Sequence, residues 1–517
     1  MSGVRPSTAP VEIRITPAEL AALAALFVVA VVATPAVAAL SAGLPIGYAW
    51  TRPLTLDEFH TLLLIEEPTV RSLVSKLAQG GDYNPPGLFL LLRPWTDIFG
   101  ASEAALRAFS TLAMAIGLLG LYVALRYGVS RGTALAATLA VWGGMPLLQV
   151  EAVNARFYAL WFAETAWLAA LLPAMSERGG VGRAIILAGL SILVCLTHYF
   201  GIFSLIALAA GQFLADQLGS RPLGRSLLRL TPTLAGPAAL ALCIPLYFGQ
   251  RAALEVPTWL APSGRAAIEQ LIDPFFRSII LAAAALLLVT SIIWRTLHSE
   301  TAIPENRLSI RPLIAALGLL GLPVILLAFH FIVQPISVAR YAIPTTVGIA
   351  AACALLLACC ERRLMVVAIV GFTLLPVATL RLESDVWDAE RHSAPAQLAR
   401  RLVPQLRSGY PLVFAGRGDG YSAWRYSGLP DDAIRLAYPD GQENVSVFVR
   451  LERSVARRMN RLFNTPAVLS DDELLKEGPF VFCATLSRCE LKRRFPNATV
   501  RPLSEEGPLT AYLVTAQ

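Results

Sequence analysis

Apolar runs of helix length alternate with short polar intervals from residue 20 to residue 380. The first run, residues 20–44, exceeds the about 20 apolar residues that an α-helix needs to cross a bilayer. Comparable runs follow at residues 104–125, 133–148, 155–175, 184–197, 199–214, 230–248, 275–294, 313–333, 342–360 and 365–380. They predict about eleven spans, with the shorter segment 88–99 lying on the membrane surface. Beyond residue 380 the pattern changes. Short apolar stretches at 411–415, 433–438, 480–483 and 510–514, with a helical pattern at 455–463, predict a small α/β domain over residues 381–517. The glycine-rich segment 416–420 follows one of these strands and fits neither GxGxxG nor a P-loop, so it reads as a turn.

Composition agrees with the pattern. The 517 residues are 56% hydrophobic and only 15% charged, with a mean hydropathy of +0.59. A soluble chain carries roughly 25% charge, so the expected class is a polytopic α-helical membrane protein. The net charge of +7 does not imply nucleic acid as a partner. Its arginines sit in short clusters in alternate loops, at Arg126 and Arg131, Arg178 and Arg183, Arg221, Arg225 and Arg229, Arg295, Arg307 and Arg311, and Arg362 and Arg363. Positive-inside topology accounts for them, with the amino terminus cytoplasmic and the first helix uncleaved. The partner is then the lipid bilayer. The loop at about 45–87, the turns at Asn154–Arg156, His198–Tyr199 and Val338–Tyr341, and residues 381–517 fall on the extracytoplasmic side.

Candidate chemistry concentrates in that first loop. Asp57, Glu58 and His60 open its central stretch, and Asp82-Tyr83-Asn84-Pro85-Pro86 closes it. The first group reads as a helix start, with Asp57 as cap and Glu58 in the first turn. It also reads as a general base with support, and the two readings are compatible. The double proline fixes the chain where the next helix begins and holds Asp82 near the surface. His60 with the two carboxylates gives three ligands, so a divalent metal is conceivable without being supported. His330 reads as a core histidine, and His298 and His392 as solvated loop residues. Glu103 and Arg107, four residues apart, read as a helical pair. Five cysteines lie in apolar stretches and suit packing. Cys483 and Cys489, in the polar region, could pair in an oxidising compartment.

These motifs, in this order, resemble the GT-C membrane glycosyltransferases that use polyprenyl-phosphate sugars, particularly the protein O-mannosyltransferase and aminoarabinose transferase group. The likeness runs through Asp57-Glu58-x-His60 and Asp82-Tyr83-Asn84-Pro85-Pro86. It continues through Phe99-Gly100-x-Ser102-Glu103-x-x-x-Arg107, Glu151 to Ala159, His198-Tyr199-Phe200-Gly201 and Arg340-Tyr341, covering roughly residues 15 to 380. The resemblance implies inverting sugar transfer from a polyprenyl-phosphate donor to an extracytoplasmic glycolipid, polysaccharide or protein, with no required cofactor. Asp57 would be the base, with Glu58 and Asp82 in support. His60, Asn84, Arg156, Arg340 and Tyr341 would serve the donor and its phosphate. Relatives commonly carry histidine or lysine where this chain has Asn84, which cannot neutralise a phosphate. That duty would move to arginines, with Arg156 and Arg340 ahead of Arg251 and Arg265. A transporter or lipid flippase is the alternative, expected to carry ionisable groups at mid-span, and an inactive scaffold is a third reading.

Overall fold

The computed structural model describes residues 15–177, 180–253, 264–276, 289–290, 309–333, 338–360, 362–380, 388–438, 447–506 and 508–516. The chain is mostly helical and divides into two units. The first comprises Met1–Ser41, Arg107–Cys243 and Pro262–Glu383; the second comprises Ala42–Leu106, Ile244–Ala261 and Ser384–Gln517.

Among the described residues, five helical stretches are long and apolar enough to cross a membrane: Pro17–Ser41, Glu103–Arg126, Tyr158–Met175, Gly201–Leu218 and Arg311–Ile332. A bent pair, Leu223–Leu242 with Ile244–Ala252, makes a sixth if counted as one span. Apolar helices Val181–Thr197, Thr345–Ala358 and Met365–Leu375 are shorter. The expected run 133–148 is broken into helices Arg131–Gly144 and Pro146–Glu151. Pro146 explains the break, because it supplies no N–H and drives Met145 out of the helical region, to φ −120° and ψ 87°. The expected run 275–294 falls almost entirely outside the described residues.

Small residues set how closely the helices of the first unit approach. A Cβ on Gly318 would lie 2.4 Å from the Ala207 carbonyl oxygen, and one on Gly211 would lie 2.6 Å from that of Ile314. Only glycine lets these backbones touch, the usual way helices gain contact where burial from lipid gives no hydrophobic drive. Gly201 is tighter still, since a Cβ there would meet the Val194 oxygen at 2.0 Å. The helix after His198 therefore begins directly against the helix before it.

In the second unit, six strands form one sheet: β1 Leu412–Phe414, β2 Ile434–Tyr438, β3 Ala467–Ser470, β4 Phe480–Ala484, β5 Ala498–Glu506 and β6 Leu509–Ala516. Their order is β3-β2-β1-β4-β6-β5. The β3-β2-β1-β4 ladders are parallel, and β6 pairs antiparallel with both β4 and β5. Strands β1 and β4 are buried along their whole length, which is why they read as unbroken apolar runs. Segment 416–420, expected to be a turn, instead opens helix Arg417–Tyr426 with Gly416 at its cap. Cys483 is buried in β4 and Cys489 is exposed in helix Arg488–Arg494, and both are free thiols. Burial pushes the Cys483 thiol well above its ordinary range.

Candidate active site

The start of the polar loop is fixed by a cap. Thr55, and not Asp57, precedes helix Leu56–Ile65 in extended conformation. Its N–H and hydroxyl donate to Glu58 Oε2 at 2.8 and 3.1 Å, giving a capping box. Arg52 lies 3.6 Å from the same carboxylate oxygen, and both side chains are buried. Glu58 thus anchors the helix, while Asp57 beside it in the first turn is half-buried. A carboxylate there is favoured by the N-terminal end of the helix dipole.

The far end of the loop is an Asx turn. Asp82 Oδ1 accepts from the Asn84 backbone at 3.1 Å, from Asn84 Nδ2 at 2.8 Å and from the Tyr83 N–H at 2.7 Å. Gln250, 2% exposed, donates to the carbonyls of Asp82 and Asn84 at 3.1 and 3.0 Å. Asn84 therefore orients Asp82, a job its two donors suit. His60 joins the ends, because its Nδ1 lies 3.1 Å from the Gly81 carbonyl oxygen. A carbonyl only accepts, so Nδ1 carries the proton, and Nε2 accepts from an Arg417 guanidinium nitrogen at 3.4 Å. His60 stands one helical turn from Asp57, so the ring ties the helix bearing Asp57 to the turn bearing Asp82.

The rest of the second unit closes around this loop. Phe59 packs against Tyr421 and Tyr426, with ring centroids 5.8 and 6.2 Å away. Tyr426 Oη accepts from the Leu54 N–H and donates to Glu103, each at 3.0 Å. Arg458, from helix Val447–Phe463, donates to Tyr83 Oη and to the Ala253 carbonyl and lies over the Tyr83 ring. Burial raises the Tyr83 phenol above its ordinary range and lowers the Arg458 guanidinium below its own. His392, expected in a solvated loop, lies in helix Ala389–Arg401 and shares a hydrogen bond with Tyr48 Oη at 3.1 Å.

The first unit holds the expected arginines among rings. Arg156 lies 4.8 Å from the Phe157 centroid and Arg340 lies 5.2 Å from that of Tyr158, and Phe157 and Tyr158 are themselves 4.3 Å apart. Tyr341 is 6.5 Å from Tyr158 and 5.2 Å from His198. His198 stacks on Trp161 at 4.4 Å with an interplanar angle of 7°, and its Nδ1 accepts from the Phe200 N–H. Next to it, the Thr197 hydroxyl donates to Glu164, a buried carboxylate inside helix Tyr158–Glu177. Asn154 Nδ2 donates to Glu151 at 2.9 Å, holding the turn that presents Arg156.

Arg156, Arg340 and Tyr341 are thus brought together in the first unit, and Asp57, Glu58, His60, Asp82 and Asn84 in the second. Arg251 lies on the surface with Tyr247, and Arg265 pairs with Glu269 at 2.6 Å. Among the described residues, no group of three or more His, Cys, Asp and Glu side chains could hold a metal ion. Sequence reasoning missed Arg417, Arg458, Gln250 and Tyr426. Only the Gly-Arg-Gly-Asp-Gly run at Arg417 carried a signal, and it was read for its glycines.

The fold is similar to that of a solved membrane protein, ArnT. Two structures of ArnT from Cupriavidus metallidurans match it over nearly their whole length. With undecaprenyl phosphate bound, ArnT shares 13% identity over 96% of this chain and 98% of its own, with a TM-score of 0.54. The apo form shares 14% identity over 96% and 97%, with a TM-score of 0.56. The Archaeoglobus fulgidus oligosaccharyltransferase aligns more loosely, at 16% identity over 79% of this chain and 61% of its own, with a TM-score of 0.44. No protein-family profile and no curated protein sequence matches the chain.

Proposed function

We propose that the chain transfers a sugar, with inversion, from a polyprenyl-phosphate donor to an extracytoplasmic glycolipid, polysaccharide or protein. The observation that carries this reading is Asp57, a half-buried carboxylate on a helix start locked by Thr55, Glu58 and Arg52. The undecaprenyl phosphate bound by ArnT supports the donor class. In this reading Asp57 takes the proton of the acceptor hydroxyl as its oxygen attacks the anomeric carbon. The bond from that carbon to the donor phosphate breaks on the opposite face, and polyprenyl phosphate leaves with the electron pair. Arg156 and Arg340, with Tyr158 and Tyr341, stabilise the phosphate charge, since guanidinium offers a bidentate fork. Asp82 supports the acceptor, Glu58 holds Asp57 in place, and His60 and Asn84 shape the loop. The reaction needs no metal. The same reading puts about eleven spans in a bacterial inner membrane, with the loop and the α/β domain of residues 381–517 extracytoplasmic.

The test is transfer of radiolabel from undecaprenyl-phosphate sugars to envelope fractions by the purified chain and by Asp57→Asn. Label transfer by the wild type, lost in a folded Asp57→Asn protein, is expected; equal transfer by both removes Asp57 from its role. One observation favours the transporter alternative, namely Glu164, an ionisable group buried inside a membrane-length helix. Substrate flux into proteoliposomes that falls in Glu164→Gln, without any sugar transfer, would establish that alternative.

A further inference from the structure

Two latches tie the polar loop to the chain after residue 388, and each uses a buried arginine. Arg417 is 7% exposed and donates to His60, which in turn donates to the carbonyl of Gly81. Arg458 is 6% exposed and donates to Tyr83. Both arginines therefore act on the three residues around Asp82, one through the histidine that stands a turn from Asp57.

The local backbone leaves little freedom at this junction. Gly80 has φ +85°, and a Cβ there would meet Ala253 at 2.8 Å and Arg458 at 3.3 Å. A Cβ on Gly81 would lie 3.0 Å from both the Lys76 carbonyl oxygen and the Phe463 ring. The Lys76 ammonium also donates to the Leu462 carbonyl. The turn is therefore built to seat against helix Val447–Phe463. Arg417 stands at the first position of its own helix, beside β1, so the sheet fixes where its guanidinium reaches.

We infer that Arg417 is a positioning residue for the reaction loop: through His60 it sets the placement of Asp57 relative to Asp82. A neutral His60 can accept from Arg417 only while its other nitrogen donates to Gly81, so the arginine selects the tautomer that bridges the loop. Without it, that tautomer loses one of its supports and the bridge to Gly81 weakens. This inference rests on the proposed transferase reading for its catalytic consequence, while the latch itself is a statement about the loop.

The experiment combines turnover with hydrogen–deuterium exchange on the full-length protein in detergent. Arg417→Gln is expected to lower kcat about 10- to 100-fold with little change in donor KM, the scale of loss that a misplacement of about 1 Å can cause. Arg417→Lys, which keeps a donor, is expected to restore most of kcat. In a His60→Gln background, Arg417→Gln is expected to add almost nothing, because the two residues act in series. Amide exchange over residues 79–84 is expected to accelerate in Arg417→Gln and not in Arg417→Lys, with melting temperatures unchanged. Unaltered exchange over 79–84 in Arg417→Gln overturns the latch, as do additive losses in the double variant. If the wild type transfers no sugar from any undecaprenyl-phosphate donor, the transferase reading fails, and the exchange measurement still decides the latch.

Discussion

The candidate phosphate-binding residues of the first unit and the candidate acids of the second sit in different surroundings. In the first, the arginines of the candidate phosphate cluster lie over aromatic rings, and His198 stacks on Trp161. In the second, charge and polarity are held by directed hydrogen bonds: Glu58 by Thr55 and Arg52, Asp82 by Asn84, and Tyr83 by Arg458. A ring face attracts a cation without fixing its orientation. A carboxylate that accepts several hydrogen bonds has its direction constrained by their geometry. The difference suits the tasks proposed for each, capture of a lipid phosphate in one unit and aim of a base in the other.

The strongest way to break this contrast is Asp57→Asn. It is expected to lower turnover by about 10²- to 10⁴-fold, the usual contribution of a general base, with melting and membrane insertion unchanged. Wild-type turnover would remove the aimed base from the second unit. Next comes Glu58→Ala, which removes the buried carboxylate facing Arg52 and accepting from Thr55. A loss of about 3–5 kcal/mol in stability is expected, read as a fall in melting temperature. A change of only a few tenths would show the pair to be ornamental to the fold.

Arg156→Ala and Arg340→Ala sharpen the other side of the comparison. In the proposed reading each removes a charge-assisted contact to the donor phosphate, so donor affinity should weaken by about 10-fold or more, and kcat should fall as well because the leaving phosphate gains charge. Equal donor affinity in both variants would move the phosphate site elsewhere. The smallest effect concerns acid. Ser470 donates to Glu473 through its N–H and hydroxyl, holding that carboxyl below its ordinary 4.5. A depressed carboxyl stabilises the fold above its unfolded pKa, and that contribution is lost as pH falls through the folded value. Glu473→Gln should therefore flatten the melting curve against pH below about 4.5, and an unchanged slope would assign the acid sensitivity to other groups.

Most apolar helices were legible because a bilayer imposes a single pattern on whole spans. Among the described residues most starts found by hydropathy lie within about three residues of the observed ones, whereas five helices, or six with the bent pair, are long and apolar enough to span. The break at Met145-Pro146 was signalled by the proline and hidden by the apolar run around it. In the candidate site, sequence reading found residues that sit close along the chain, such as Asp57 with His60, and Arg340 with Tyr341. It missed Arg417 and Arg458, whose partners His60 and Tyr83 lie 357 and 375 positions away. Nothing local distinguishes such an arginine from one that is solvated. Thr55 was passed over as the cap because Asp57, two residues on, is an equally good capping type.

Tyr48 and His392 share a hydrogen bond across 344 positions, and the second unit gathers three separate pieces of the chain. At about 5–20 residues per second, the ribosome needs roughly 20 to 70 s to bring the second partner into existence after the first. During that interval the polar loop emerges without its sheet, its Tyr83 and His60 exposed to water. Biogenesis of this protein is therefore expected to pass through an inserted but unfinished chain. That makes the nascent loop a natural client for chaperones and a vulnerable target for proteases.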